Sequence, residues 1–356
     1  MKAGTAQPKV LILGGGVAGL QTALALNDMG IESLLVEKEQ GLGGRVKNYD
    51  RIFPFFHSGR DLVSDLEDRV RRSHLAEIRC GTTVSKVEGR APHFDIALTG
   101  SSDSISAAAV VIATGFEPFD ASLQEEYGYG IYGNVITGTE LEGLLDPEGP
   151  TKGEVRRPSD GKIVSRVAIV FCVGSRNEKL GHNYCSRICC SYSTKQAIEI
   201  KERHPAASVT CFYIDVRTYG RGFEEMYRRA QEMGVTYIRG RVAECAMLPN
   251  GDIAIKAEDT FLGRPVQGVF DLVSLSHGMT PSLDAPGIAA MLGLEVAEDG
   301  FFECRDRDLY PNDSTAGGVF LVGAALGMKP IPDCIADGNA VAARVAAFLA
   351  RAQERD

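Results

Sequence analysis

A chain of 356 residues, 44% of them hydrophobic, is long enough to bury two or three domains. Its net charge of -9 argues against nucleic acid or an anionic membrane as main partner, and no apolar run, the nearest being 107–113, reaches the length of a membrane span. The first nine residues lack the apolar core of a leader peptide, so the nine cysteines are expected in a reducing, cytoplasmic compartment, where clustered thiols bind metal or do redox work.

Residues 9–37 read as strand, glycine-rich turn, helix, strand. The apolar run Val10–Leu13 enters Gly14-Gly15-Gly16-Val17-Ala18-Gly19, which fits G-x-G-x-x-G. A helix follows to Met29 and stops at Gly30, and a second strand, Ile31–Val36, ends in Glu37. In such a turn Gly14 permits the tight bend, Gly16 lets the backbone approach a pyrophosphate and Gly19 packs helix on strand, while Glu37 takes a ribose hydroxyl. An ordinary glycine-rich βα turn would leave Glu37 without a role. The pattern predicts a dinucleotide site.

Past Glu37 the chain continues through Lys38 to a second glycine cluster, Gly43-Gly44-Arg45. This E-K-x-x-x-x-G-G-R arrangement resembles the flavoproteins with two dinucleotide-binding domains, in which these glycines let the chain run along FAD. The resemblance implies three further FAD contacts. Thr83-Val84 opens a strand-like segment, 82–88, that would hold the adenine through its backbone. Ala113-Thr114-Gly115, after 108–112, would close over the cofactor. Gly318–Gly323 is similar to the last FAD motif, with Ala324 where many relatives carry a ribityl-binding aspartate. The helix read from Ile335 to Arg351 would point its amino end at the flavin pyrimidine. Its alanines, Ala340, Ala342, Ala343, Ala346 and Ala347, fit a helix packed closely in a core.

The middle of the chain reads as a second αβ unit: strand Val167–Val173, helix 186–204, strand Val209–Val216, helix 222–233 and strand Val235–Ile238. In thioredoxin-reductase-like flavoproteins this domain carries its own G-x-G-x-x-G/A for NADPH. Here the strand runs into Cys172-Val173-Gly174-Ser175-Arg176, and the nicotinamide motif is missing. Cys172, Cys185, Cys189 and Cys190 form C-x12-C-x3-C-C between a strand end and a helix start, where free amides and the helix dipole favour thiolates. Cys185 and Cys189 are expected one turn apart on one helix face, with Cys190 off it. Four thiolates suit an iron-sulfur cubane or a structural zinc, although the C-x2-C pairs usual in zinc sites are absent; one disulfide would leave two of them unexplained. The other cysteines, Cys80, Cys211, Cys245, Cys304 and Cys334, read as small buried apolar residues. The expected fold class is α/β with two Rossmann-like dinucleotide-binding domains, a thioredoxin-reductase-like FAD flavoprotein. Residues 1–119 and 282–356 form its FAD domain, and 120–281 a degenerate NADPH-type domain.

A narrower resemblance rests on Asn134-Val135-Ile136-Thr137, Arg157-Pro158-Ser159-Asp160-Gly161-Lys162, Cys172-Val173-Gly174-Ser175-Arg176, Tyr184-Cys185-Ser186-Arg187-Ile188-Cys189-Cys190, Thr194-Lys195-Gln196-Ala197, Tyr213-Ile214-Asp215-Val216-Arg217 and Gly222-Phe223-Glu224-Glu225. Together these resemble the flavin-bearing A subunit of heterodisulfide reductase, over nearly the whole chain. The resemblance implies a [4Fe-4S] cluster on Cys172, Cys185, Cys189 and Cys190, and a catalytic Lys195 near the reactive edge of the flavin. It also implies a homodimer with further subunits of a heterodisulfide-reductase-like complex as partners. No cysteine lies in 46–70, where the methanogen form carries one more cysteine motif. The chain is thus more similar to the short single-cluster forms, the A subunit of sulfur oxidisers or of the quinone-interacting oxidoreductase. The competing activity is an NAD(P)H-dependent disulfide oxidoreductase using Cys189-Cys190 or Cys185-Cys189. Among the histidines, His57 is a candidate flavin contact or packing residue, His182 a loop residue in the cysteine stretch, and His277 a hinge residue.

Overall fold

The computed structural model describes residues 9–101 and 104–354, in two compact units. Residues 1–8, which bear on the leader peptide, lie outside the described residues. No helix among the described residues is long and apolar enough to cross a membrane.

The first unit comprises 1–47, 60–117 and 280–356. Its centre is Val10–Leu13, four consecutive apolar residues that are all buried. A strand without polar alternation is stable only when both faces are covered, which parallel sheets provide. Val10–Leu13 accordingly pairs in parallel with Ser33–Val36 on one side and Ala109–Ile112 on the other. The full sheet runs Cys304–Asp306, Tyr310–Ser314, Val319–Leu321, Ala109–Ile112, Val10–Leu13, Ser33–Val36, Ala76–Arg79, and a three-stranded antiparallel sheet, Val84–Arg90, His93–Leu98 and Ser104–Ala107, belongs to the same unit.

The helix Val17–Asp28 packs on the C-terminal helix Ile331–Gln353. Gly338 allows the approach: a Cβ there would sit 2.9 Å from Gln21 Cβ and 3.1 Å from the Ala18 carbonyl oxygen. Gln21 Nε2 donates to Asn339 Oδ1 at 2.7 Å across the same seam. The C-terminal helix starts four residues before the expected Ile335, because Pro332 falls in its first turn, where a missing N–H costs nothing.

The second unit comprises 48–59 and 118–279. Its parallel sheet runs Thr236–Arg239, Ser208–Tyr213, Arg166–Val173, Leu272–His277, Val135–Thr137, and a three-stranded antiparallel sheet, Val242–Met247, Ile253–Asp259 and Arg264–Phe270, completes it. In the central strand Val167, Ile169 and Phe171 enter the core that contains Cys189 and Cys190, while Ala168, Val170 and Val173 enter the core against the antiparallel sheet. Segment 48–59 groups with this unit, although its place along the chain put it in the first domain. Phe53 meets Phe223 edge-on at 5.9 Å and the Arg229 guanidinium lies 5.2 Å from the Phe56 ring centre. Aromatic anchoring by residues far along the chain leaves no mark on local sequence.

The entry to the central strand is held by charge. Asp271 accepts from the Ser165 amide and hydroxyl, both at 2.7 Å, from the Arg166 amide at 2.9 Å and from Arg166 Nε at 3.0 Å. Burial alone would raise the Asp271 carboxyl, but the donors outweigh it and hold the group at about 2. Arg166 also pairs with Asp252, which pairs in turn with the buried Arg157, each at 2.8 Å. A carboxylate depressed from an unfolded value of about 3.9 contributes stability that is complete above that value and lost as pH falls toward about 2. Asp271→Asn should therefore flatten the acid limb of a chemical-denaturation pH profile between about pH 4 and pH 2. A variant profile parallel to that of the parent protein would contradict this.

Candidate functional site

In the first unit the glycine turn sits at the carboxyl end of the sheet. Gly14 has φ +113°, and a Cβ there would run into the Ala113 carbonyl; at Gly19 it would run into Gly14 oxygen. Both positions are closed by backbone. Gly16, the N-cap of the helix that opens with the buried Val17 and Ala18, is different, since a Cβ there would meet nothing within 4 Å. Gly43 and Gly44, at φ +95° and +55°, lie against the same turn, with the Gly43 amide donating to Gly15 oxygen at 2.8 Å. The two glycine clusters, separated in the chain by a helix and a strand, thus form one surface.

Glu37 is buried beside this surface. Its Oε2 accepts from the Gly15 amide at 2.6 Å and its Oε1 from the Glu39 amide at 2.8 Å, which fixes the carboxylate and leaves each oxygen a further lone pair. Thr114 Oγ1 is buried without a hydrogen-bond partner among the described residues, and Gly115, at φ +69°, faces open space. A cradle with a free helix N-terminus, an oriented carboxylate and an orphaned hydroxyl fits a dinucleotide.

Other expected contacts have partners inside the unit. Lys38 pairs with Asp284 at 2.6 Å, and Arg45 pairs with Glu117 while lying 5.6 Å from the Phe116 ring centre. Val84 is half-buried at the start of its strand, and Ala113 is fixed by donating to Leu13 oxygen at 2.7 Å. Gly323 and Ala324 form a short 3-10 turn before the C-terminal helix, with Ile335 half-buried in that helix. Asp337, to which no sequence motif pointed, accepts from the Gly323 amide at 3.1 Å and pairs with Lys329. It supplies a carboxylate beside the turn in which Ala324 offers none.

In the second unit the strand Arg166–Val173 changes course at its end. Cys172 has φ +62°, and the register with the neighbouring strand shifts between Val170 and Val173. The shift breaks the two-residue alternation, so Cys172 joins Phe171 in the core holding Cys189 and Cys190. Cys189 lies within hydrogen-bonding reach of both other thiols. Contact with Cys172 and then Cys190 pushes the Cys189 thiol well up, and the same contacts bring Cys172 and Cys190 down.

Cys185 departs from expectation. The helix begins at Cys189, with Ile188 as its N-cap, so Cys185 precedes it in a loop and shares no helix face with Cys189. Its Sγ accepts from the Arg187 amide at 3.3 Å. Arg176 joins the two parts: burial lowers its guanidinium, but its pair with Asp215 at 2.8 Å and the fields of Cys172 and Cys185 raise it further. Among the described residues no set of three or more His, Cys, Asp or Glu side chains is placed to hold a single metal ion. The loop nevertheless concentrates thiols, left-handed backbone at Cys172, Gly174, Arg176 and Arg187, and a buried Ser175 hydroxyl without a partner among the described residues. Cys172, Cys189 and Cys190 meet in one core at the strand end and helix start, with Cys185 in the loop between them.

Lys195, on the cysteine helix, is enclosed. Its Nζ pairs with Glu142 and with Glu199 at 3.2 Å, and donates to the Arg51 carbonyl at 2.9 Å. Burial lowers the Lys195 ammonium, but Glu142 and Glu199 more than restore it. The histidines are also placed. His277 shares a 2.8 Å hydrogen bond with Thr139, His182 one of 2.9 Å with Gly174 oxygen, and His57 is exposed in a bridge with Ile52.

Residues 8–170 match the family model described as pyridine nucleotide-disulphide oxidoreductase. Among solved structures, the chain is similar to thioredoxin reductase of Lactococcus lactis, with TM-score 0.65 and 18% identity over 97% of this chain and 100% of that one. Thioredoxin reductase of T. acidophilum gives TM-score 0.63 and 19% identity over 96% and 99%. The fold is therefore α/β with two Rossmann-like sheets, of the thioredoxin-reductase-like kind.

Sequence similarity is more specific. The chain is 35% identical, over 97% of its length, to the iron-sulfur A subunit of the CoB–CoM heterodisulfide reductase of Methanocaldococcus jannaschii, covering 65% of that protein. It is 33% identical, over 95% of its length, to the A subunit of the H2:CoB-CoM heterodisulfide,ferredoxin reductase of Methanothermobacter thermautotrophicus, covering 63% of it. Heterodisulfide reductase A subunits of methanogens are homologues of this chain. The chain spans less than two thirds of the length of these relatives.

Shared with those homologues or not, the buried Lys195 pair makes a physical demand of its own. Removing one partner of a buried ion pair leaves an uncompensated charge at a cost of about 3–5 kcal/mol, whereas replacing both by apolar groups is far milder. Lys195→Met alone, which strands the buried Glu142 and Glu199 without their shared cation, should lower unfolding free energy by about that amount, and Lys195→Met with Glu142→Leu and Glu199→Leu should recover most of it. Equal destabilisation by the single and triple variants in denaturant titrations would refute the coupling.

Proposed function

We propose that this chain is an electron-transferring flavo-iron-sulfur oxidoreductase subunit of a cytoplasmic heterodisulfide-reductase-like complex. FAD would bind the first unit and a [4Fe-4S] cluster the second. The observation that carries the reading is the turn at Cys172, which delivers a thiol to Cys189 and Cys190 at the sheet end where a nicotinamide motif would otherwise stand. A flavin exchanges one or two electrons and a cubane one, so the pair supplies conversion between two-electron and one-electron transfer.

The residues of the chain have separable tasks in this reading. Gly16 and Gly115 keep space for the cofactor backbone, and Gly44, where a Cβ would sit 3.2 Å from Gly16 Cα, lets the second glycine cluster close on the turn; Glu37 orients a ribose through its free lone pairs; Val17 and Ala18 offer helix N-terminal amides to the pyrophosphate. Thr114 donates its hydroxyl, and Gly323, Ala324 and Ile335 border the site with Asp337. Cys172, Cys189 and Cys190 act as buried ligands, and Cys185 as the outlying fourth, oriented by the Arg187 amide. Lys195 is a cation that Glu142 and Glu199 keep charged despite burial. The homologues are named as subunits, which supports partner subunits, with a homodimer as the core. The cysteine-free stretch 46–70 supports the short form found in sulfur-oxidising or quinone-linked complexes.

Anaerobically purified protein should contain FAD and about four iron and four acid-labile sulfide per chain, with an EPR signal on reduction. Cys172→Ser should remove iron and leave flavin. Flavin-yellow protein without iron, or rapid flavin bleaching by NADPH in the absence of partners, would overturn the reading in favour of a disulfide oxidoreductase.

Gly16→Val gives the complementary test. Because a Cβ at Gly16 meets no protein atom, its methyl groups project into space reserved for ligand. FAD content should fall severalfold while the apoprotein melts at an unchanged temperature; retention of full flavin would show that Gly16 does not face the cofactor.

A further inference from the structure

The first unit contains a cavity of about 320 Å³ for which the proposed flavin and cluster chemistry has no use. It is lined by Arg305, Arg344 and Arg351, by Ser314–Phe320, and by Ala347 and Phe348 of the C-terminal helix, with Asp313 as the one carboxylate among the described residues. Its position in the sheet separates it from the dinucleotide turn. Val319–Leu321 runs parallel to Ala109–Ile112, with Val319 beside Val110 and Leu321 beside Ile112, and leads toward Gly323. The cavity lies at the amino end of that strand, whereas nucleotides bind such sheets beyond the carboxyl ends.

The charges at its mouth, where Arg305 and Arg351 are exposed, do not cancel. Arg344 is neutralised by Asp313, which accepts from Nε at 3.0 Å and from Nη2 at 2.6 Å. Arg305 and Arg351 have no ion-pair partner among the described residues. The C-terminal end of the helix contributes a partial negative charge, which is smaller than one full charge and cannot balance two guanidinium groups. Arg305 is already ordered, its guanidinium lying 4.8 Å from the Tyr310 ring centre, with that of Arg344 at 5.2 Å from the same ring. At Gly317 a Cβ would meet nothing within 4 Å, so the backbone there is open to an incoming group. Phe348, Phe320 and Val319 supply an apolar wall.

We propose that this cavity binds a small organic phosphate ester. The dianionic head would sit between Arg305 and Arg351, whose planar forks match phosphate oxygens, and the apolar body would lie against Phe348. The volume is of the size that holds a small ligand.

The test is calorimetric titration of the full, FAD-loaded protein with phenyl phosphate and, separately, inorganic phosphate. Phenyl phosphate should bind saturably and more tightly than inorganic phosphate. Arg305→Gln with Arg351→Gln should weaken it by about tenfold or more, the loss expected for charge-assisted hydrogen bonds. Arg264→Gln, on the antiparallel sheet of the second unit, should leave binding unchanged. Absence of saturable binding, equal affinity in the double variant, or an equal loss in Arg264→Gln would each overturn the proposal. Should the double variant fail to fold, phenylglyoxal labelling of the parent protein decides. Phenyl phosphate must protect Arg305 and Arg351 specifically in the peptide map, and unprotected labelling refutes the site.

Discussion

A left-handed backbone conformation at one cysteine organises the second unit. At φ +62° Cys172 adopts a conformation that L-residues other than glycine avoid, at a cost of about 1–3 kcal/mol. Without that turn the strand would keep its alternation and send the Cys172 thiol into the core behind the antiparallel sheet, with Ala168 and Val170. With it, the thiol enters the other core, where the cysteine helix presents Cys189 and Cys190. Arg176 and Arg187 repeat the strained conformation further along the loop. The strain is concentrated within one loop, beside three converging sulfurs and a buried Ser175 hydroxyl without a partner among the described residues.

The second unit also manages an unusual amount of buried charge, and it does so by pairing opposite signs. Lys195 is enclosed by Glu142 and Glu199, with Gln196 bonding Glu142 at 2.7 Å and Arg51 3.8 Å from Glu199. Burial raises the Glu199 carboxyl, against the pull of Lys195. At the other end of the central strand, Arg157, Asp252, Arg166 and Asp271 form an alternating chain. Such networks add little net stability compared with apolar packing, but they penalise any arrangement that separates their members. They hold the cysteine helix and the strand entry in register.

The first unit uses close backbone contact instead of charge. Gly14, Gly19 and Gly338 are each shut by neighbouring atoms, whereas Gly16 and Gly115 face open space. The glycines of one motif therefore divide into those that pack the scaffold and those that leave room for a ligand. That division agrees with the homology to heterodisulfide reductase A subunits and with the thioredoxin-reductase fold.

Much of this was legible in the residues. The run Val10–Leu13, the glycine turn and the helix to Asp28 were readable because each obeys a local rule: continuous burial, φ above zero, or a helical period. The cysteine spacing likewise drew attention to Cys172, Cys189 and Cys190, which meet in one core. Residue order could not place Cys185, because Arg187, at φ +61°, takes a conformation a right-handed helix cannot contain and the helix starts only beyond it, at Cys189. Nor could it assign 48–59 to the second unit, pair Lys195 with Glu142 across 53 positions, or bring Asp337 to Gly323. Sequence alone determined the element types and the chemical inventory, since these depend on neighbours along the chain. Which thiols meet, which charges pair and which glycines stay open were decided by tertiary structure, because they depend on contacts between segments that local periodicity does not encode.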